Sequence, residues 1–151
     1  MLFCHAPPLP DQQKRLAFVN PEIHLMITKG IKMNKTDLMV GLFEAIDRSD
    51  AEGFSVFLAD DVTFRFGNAP AVHKRAPVKE VVGGFFASIK TLRHQIHDIW
   101  SVDNAVVCHG MVTYTRHDGS TLTVPFANIF KMKGKLIKNY LIFADTSELY
   151  K

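Results

Sequence analysis

The feature that most constrains this chain is the run from 92 to 145, where apolar and polar residues alternate in four stretches separated by turn-forming pairs. The alternation predicts strands over roughly 92–101, 104–116, 121–132 and 136–145, because successive side chains of a strand point to opposite faces. Asp103-Asn104, Asp118-Gly119 and Lys133-Gly134 stand between them, and such pairs tolerate the backbone of tight hairpins. Four hairpin-linked strands make a meander with an apolar face that must be covered.

The cover comes from upstream. Leu38, Met39, Leu42, Phe43 and Ile46 recur at helical spacing, with Asn34 or Thr36 available as the cap. Ser49 and Glu52 read as a capping box for a short second helix carrying Phe54, Phe57 and Leu58. Val62 to Gly67 alternates as a half-buried strand, and Gly67–Arg75 reads as an irregular loop or short hairpin. A third helix is expected from about Pro77, burying Val78, Val81, Val82, Phe85, Phe86 and Ile89. Helices, one strand, a helix and a meander define an α+β domain over 33–151. Residues 1–32 lack a sustained period and contain Pro7, Pro8, Pro10 and Pro21, so a poorly ordered extension is expected there, with Met33 a candidate translation start.

Composition narrows the function. There are 12 Phe against 3 Tyr and 1 Trp, which suggests a large apolar interior or an apolar ligand cavity. The net charge of +3 lies in residues 1–35, where Lys14, Arg15, Lys29, Lys32 and Lys35 face only Asp11 and Glu22. The remainder is balanced, so nucleic acid is an unlikely partner. Cys4 and Cys108 cannot form a disulfide framework and have no metal-type spacing. No stretch reads as a membrane span or a secretory leader, and a cytoplasmic location is the expectation. The last strands are apolar on both faces, one for the helices and one for a second copy, so a homodimer is expected.

The run Glu44–Gly53 followed by Phe57–Phe64, then His73–Glu80, Arg93–Trp100, Tyr114–Gly119, Pro125–Phe130 and Tyr140–Asp145, resembles the nuclear transport factor 2-like proteins. These include ketosteroid isomerase, limonene epoxide hydrolase and the SnoaL-like polyketide cyclases. The resemblance spans about 36–150. It implies a cone-shaped, cystatin-like roll: a curved, mostly antiparallel sheet with about three helices on its concave face.

Carried across residue by residue, the resemblance implies that the steroid isomerase machinery is incomplete. Its base position falls on Phe66, its tyrosine position on Leu42 and its second donor on Asn128. The epoxide hydrolase Tyr and Asn positions fall on Phe64 and Phe66, leaving only Asp145 matched. SnoaL-like chemistry implies a carboxylate on the last strands, for which Asp145 is the candidate; the competing reading is that Asp145 caps the turn at Thr146 and Ser147.

His94, Tyr114 and Asn128 are the further catalytic candidates, with Phe64, Phe66, Trp100, Phe143 and Leu42 as ligand walls. The expected function is acid/base isomerisation, cyclisation or hydration of a small hydrophobic molecule, needing no metal or organic cofactor. The alternative is a non-catalytic ligand-binding or dimerisation module.

Overall fold

The computed structural model describes residues 34–151; the 1–32 extension and Met33 lie outside the described residues. The elements are α1 (Lys35–Asp47), α2 (Ala51–Ser55), β1 (Leu58–Phe66), β2 (Val72–His73), α3 (Arg75–Ser88), β3 (Thr91–Val102), β4 (Ala105–Thr115), β5 (Thr121–Lys133) and β6 (Leu136–Ala144).

Local chemistry sets the helix starts. The Asn34 side chain accepts from the Asp37 N–H at 2.8 Å and opens α1. At α2 the cap is Asp50, which accepts from the Gly53 N–H at 2.8 Å, rather than the Ser49 expected from the sequence. Ser49 instead takes a left-handed φ of 55° in the turn, which carries its side chain away from the cap position. Helix α3 begins at Arg75, two residues before the expected start, with Pro77 inside its first turn.

The strands form one curved six-stranded sheet in the order β2-β1-β6-β5-β4-β3. All neighbours are antiparallel except β1 and β6, which run parallel. The three hairpins turn at Asp103, Gly119 and Gly134, each with positive φ.

The helices cover one face of the sheet, and that face is read off by alternation. Val106, Cys108, Val112 and Tyr114 of β4 point inward, as do Phe126, Asn128, Phe130 and Met132 of β5. They meet Leu38, Met39, Leu42, Phe43 and Ile46 of α1, and Val78, Val82 and Phe86 of α3, in one continuous core.

Three register irregularities interrupt the sheet, one of them in β1 between Leu58 and Thr63, and the other two shift this parity near the cavity. The β3–β4 register slips between Ile96 and Asp98, so β3 points Leu92, His94 and Ile96 inward and then Ile99, leaving Asp98 and Trp100 outside. The β5–β6 register slips between Lys131 and Met132, which sets Ile137 on the same inner face as Tyr140, Ile142 and Ala144. Asn139, Leu141 and Phe143 therefore face outward.

Gly110 sits opposite the β3 irregularity, paired with Ile96. A Cβ there would lie 1.9 Å from the Gln95 carbonyl oxygen, a clash with backbone that no rotamer relieves. Gly110→Ala is expected to lose about 2–3 kcal/mol of stability, read by urea unfolding. A change within about 0.5 kcal/mol would mean that β3 moves aside freely.

Candidate functional site

The helices do not fill the inner face. Between α3 and strands β1, β3, β4, β5 and β6 lies a cavity of about 190 Å³. Phe64 and Phe66 come from β1, Phe85 and Phe86 from α3, and Phe126 from β5, so the walls are aromatic. Val81, itself 49% exposed, also lines the cavity and marks where it reaches the surface. Four lining residues bring polar side-chain atoms: His94, Tyr114, Asn128 and Tyr140.

His94 is the most elaborately held of them. Its ring Nδ1 lies 2.6 Å from Asp47 Oδ1, and its backbone N–H reaches the two Asp47 oxygens at 3.0 and 3.2 Å. The ring is wedged between Phe43 and Phe126, with centroids 4.8 and 5.0 Å away. Both partners follow from the fold. Strand β3 is at the edge of the sheet, where an N–H without a strand neighbour needs another acceptor. Asp47 ends α1, the end of a helix where a carboxylate is disfavoured by the dipole, and the two donors of His94 offset that placement. With Nδ1–H donated to the carboxylate, Nε2 is the ring nitrogen that carries the lone pair.

At Asn128 the cavity has a second polar group. The residue is 2% exposed, its Nδ2 reaches only the Tyr140 hydroxyl at a long 3.4 Å, and its Oδ1 is buried without a hydrogen-bond partner in the described structure. Burial pushes the Tyr114 phenol up to about 12, with the nearby Tyr150 adding to the shift. Burial also raises Tyr140, so both hydroxyls remain protonated donors across the physiological range. The Cys108 thiol, pushed up to about 12 by burial, is an inert part of the core.

His94, Tyr114, Asn128, Phe64 and Phe66 thus come together in the cavity. Four expected site residues do not. Asp145 follows the outward parity of β6 and is fully exposed, with the Ser147 N–H donating to its Oδ1 at 3.0 Å. The Ser147 backbone and hydroxyl hold its carboxyl below the usual carboxylate range, which is the behaviour of a turn cap rather than of a desolvated acid. Trp100 was displaced to the outer face by the β3 irregularity and is 51% exposed. Phe143 is outward for the same parity reason as Asp145 and is 50% exposed. Leu42 is fully buried, but in the α1 core rather than at the cavity wall.

Asp47 is the residue that sequence reasoning missed. Its available signal was an acidic side chain in the last turn of a helix that has no basic residue there.

A helix-covered, curved sheet of this topology around an apolar cavity defines an α+β protein of the nuclear transport factor 2-like class. Residues 40–140 match the SnoaL-like domain, and the chain belongs to that family. Solved structures agree on the fold. An NTF2-like protein of unknown function from Burkholderia pseudomallei superposes with a TM-score of 0.70 at 18% identity, over 78% of this chain and 95% of that one. A protein with a ketosteroid isomerase-like fold from Catenulispora acidiphila, in complex with trimethylamine, gives 0.70 at 13% identity, over 76% and 89%. TerC, co-crystallised with polyporic acid, gives 0.67 at 17% identity, over 76% and 94%. None of the curated proteins matches the chain. No described helix is long and apolar enough to cross a membrane.

The buried phenols give a prediction with a definite sign. Folded Tyr114 releases its proton near 12, against about 10 when unfolded, so its contribution to stability is complete below pH 10. That contribution is lost as pH rises from about 10 through about 12. An ultraviolet titration should find Tyr114 and Tyr140 still protonated at about pH 11 while the fold persists, and Tyr114→Phe should remove one late-ionising group. Early ionisation of all three tyrosines in the folded protein would contradict the buried placement.

Proposed function

We propose that this protein is an acid/base catalyst that isomerises, cyclises or hydrates a small hydrophobic molecule, with His94 as the proton-transferring group and Asp47 as the residue that orients it. The observation that carries the reading is the 2.6 Å contact between His94 and Asp47 at the wall of a mostly apolar cavity. A lone histidine on an apolar face is ordinarily structural, but a carboxylate fixing one nitrogen and leaving the other toward a cavity is the arrangement a general base requires. Tyr114, a protonated phenol on the same cavity, is placed to donate to oxygen as charge develops on it.

Two proteins of the same fold are known with organic small molecules, TerC co-crystallised with polyporic acid and the Catenulispora protein in complex with trimethylamine.

Proton abstraction can be tested without knowing the substrate. Deuterium exchange next to the carbonyl of cyclohexanone, followed by NMR in heavy water, is expected to be accelerated by the wild type. His94→Gln should lower that rate at least about a hundredfold and Asp47→Asn about tenfold, with the fold intact by circular dichroism. Equal rates for wild type and His94→Gln would sink the acid/base reading.

A second reading concerns assembly and rests on the opposite side of the sheet. Leu141, Ile129, Val107 and Trp100 are register partners in turn, so they form an apolar row straight across four strands on the outer face. Phe143 adjoins it. A face of this kind fits a second copy of the chain, making the protein a homodimer. Sedimentation at micromolar concentration should give a dimer, and Phe143→Glu should shift it toward monomer; a monomeric wild type would refute it.

A further inference from the structure

The unmet polar group opposite the histidine narrows what the cavity receives. An amide buried to 2% and left with one weak contact at 3.4 Å is costly unless something else completes it, and Asn128 lines the cavity. A hydroxyl both donates and accepts, so it satisfies a buried amide whichever way its oxygen and nitrogen are turned. A carbonyl satisfies only the nitrogen, and a charged group would add a desolvation penalty among phenylalanine rings. The unmet Oδ1 needs a donor, and the smallest neutral group that supplies one while also accepting from Nδ2 is a hydroxyl.

Size and walls supply the rest. An apolar cavity of about 150 Å³ takes a benzene molecule, so 190 Å³ holds a single six-membered ring with small substituents and is too small for three fused rings. Phe64, Phe66, Phe85, Phe86 and Phe126 present edges and faces to that ring, and aromatic pairs gain from such offset and edge-to-face contacts. Phe126 also touches His94 and lies two residues from Asn128 on the same strand face, so it forms the wall between the two polar ends.

We infer that the ligand is a monocyclic aromatic alcohol, a phenol-type ring whose hydroxyl is held by Asn128 and whose other end faces His94. The inference rests on the cavity being the ligand site proposed above, and it specifies the class of molecule bound there.

Calorimetric titration of the full chain with p-cresol, toluene and 2-anthrol tests it. The wild type should bind p-cresol at least about tenfold more tightly than toluene, because toluene leaves Asn128 unsatisfied. The three-ring 2-anthrol should not bind. In Asn128→Leu the preference for p-cresol should fall to about one; if that variant does not fold, the wild-type series decides alone. Equal binding of p-cresol and toluene, or binding of 2-anthrol as tight as p-cresol, overturns the inference. A p-cresol preference with no cyclohexanone exchange in the wild type would remove the catalytic reading and leave this one standing, and exchange without the preference would do the reverse.

Discussion

The two-residue period of the strands, interrupted at three places, governs nearly everything the molecule presents. A strand residue faces either the helices or the outside, and shifting the parity by one residue exchanges the two sets. The slip near His97 keeps His94 inside and puts Trp100 outside. The slip near Lys138 aligns Ile137 with Tyr140 and sends Leu141, Phe143 and then Asp145 outward. Which groups meet the cavity is thus decided by hydrogen-bond register rather than by residue chemistry.

The cavity exists because the helices do not fill the inner face of the sheet. Helix α1 packs its apolar stripe tightly, with Met39 and Leu42 fully buried. Helix α3 meets the far part of the sheet through Val82, Phe85 and Phe86, and the space between is lined but not filled. Phenylalanine suits such a place. Its ring walls off volume without bringing a polar atom that would have to be satisfied. The few polar atoms that remain therefore stand out energetically, since each is far from water and from other partners.

His94 and Asp47 illustrate how a fold can hold a group that local preferences oppose. The aspartate lies at the unfavourable end of α1 and the histidine on an edge strand. Each supplies what the other lacks: two donors for the carboxylate, and an acceptor for the unpaired amide and the ring. The same contact that ties the first helix to the edge of the sheet also fixes the imbalance between the two ring nitrogens. Stability and chemistry share one interaction here.

Much of the architecture was legible in the chain itself. Alternation located the strands, helical spacing located α1 and α3, and Asp103, Gly119 and Gly134 occupy the turns their chemistry suits. The wealth of phenylalanine pointed to an apolar interior, and Phe64, Phe66, Tyr114, Asn128 and His94 do line it. The sequence could not say which apolar face of β6 turns inward, because Tyr140-Ile142 and Leu141-Phe143 are equally greasy and a single irregularity chooses between them. That choice removed Asp145 and Phe143 from the cavity. Nor could it bring Asp47 to His94, since the two are 47 residues apart and are joined only when α1 docks against the edge of the sheet. Local patterns determine elements because they act over a few residues; the site was decided by register and docking, which are properties of the assembled sheet.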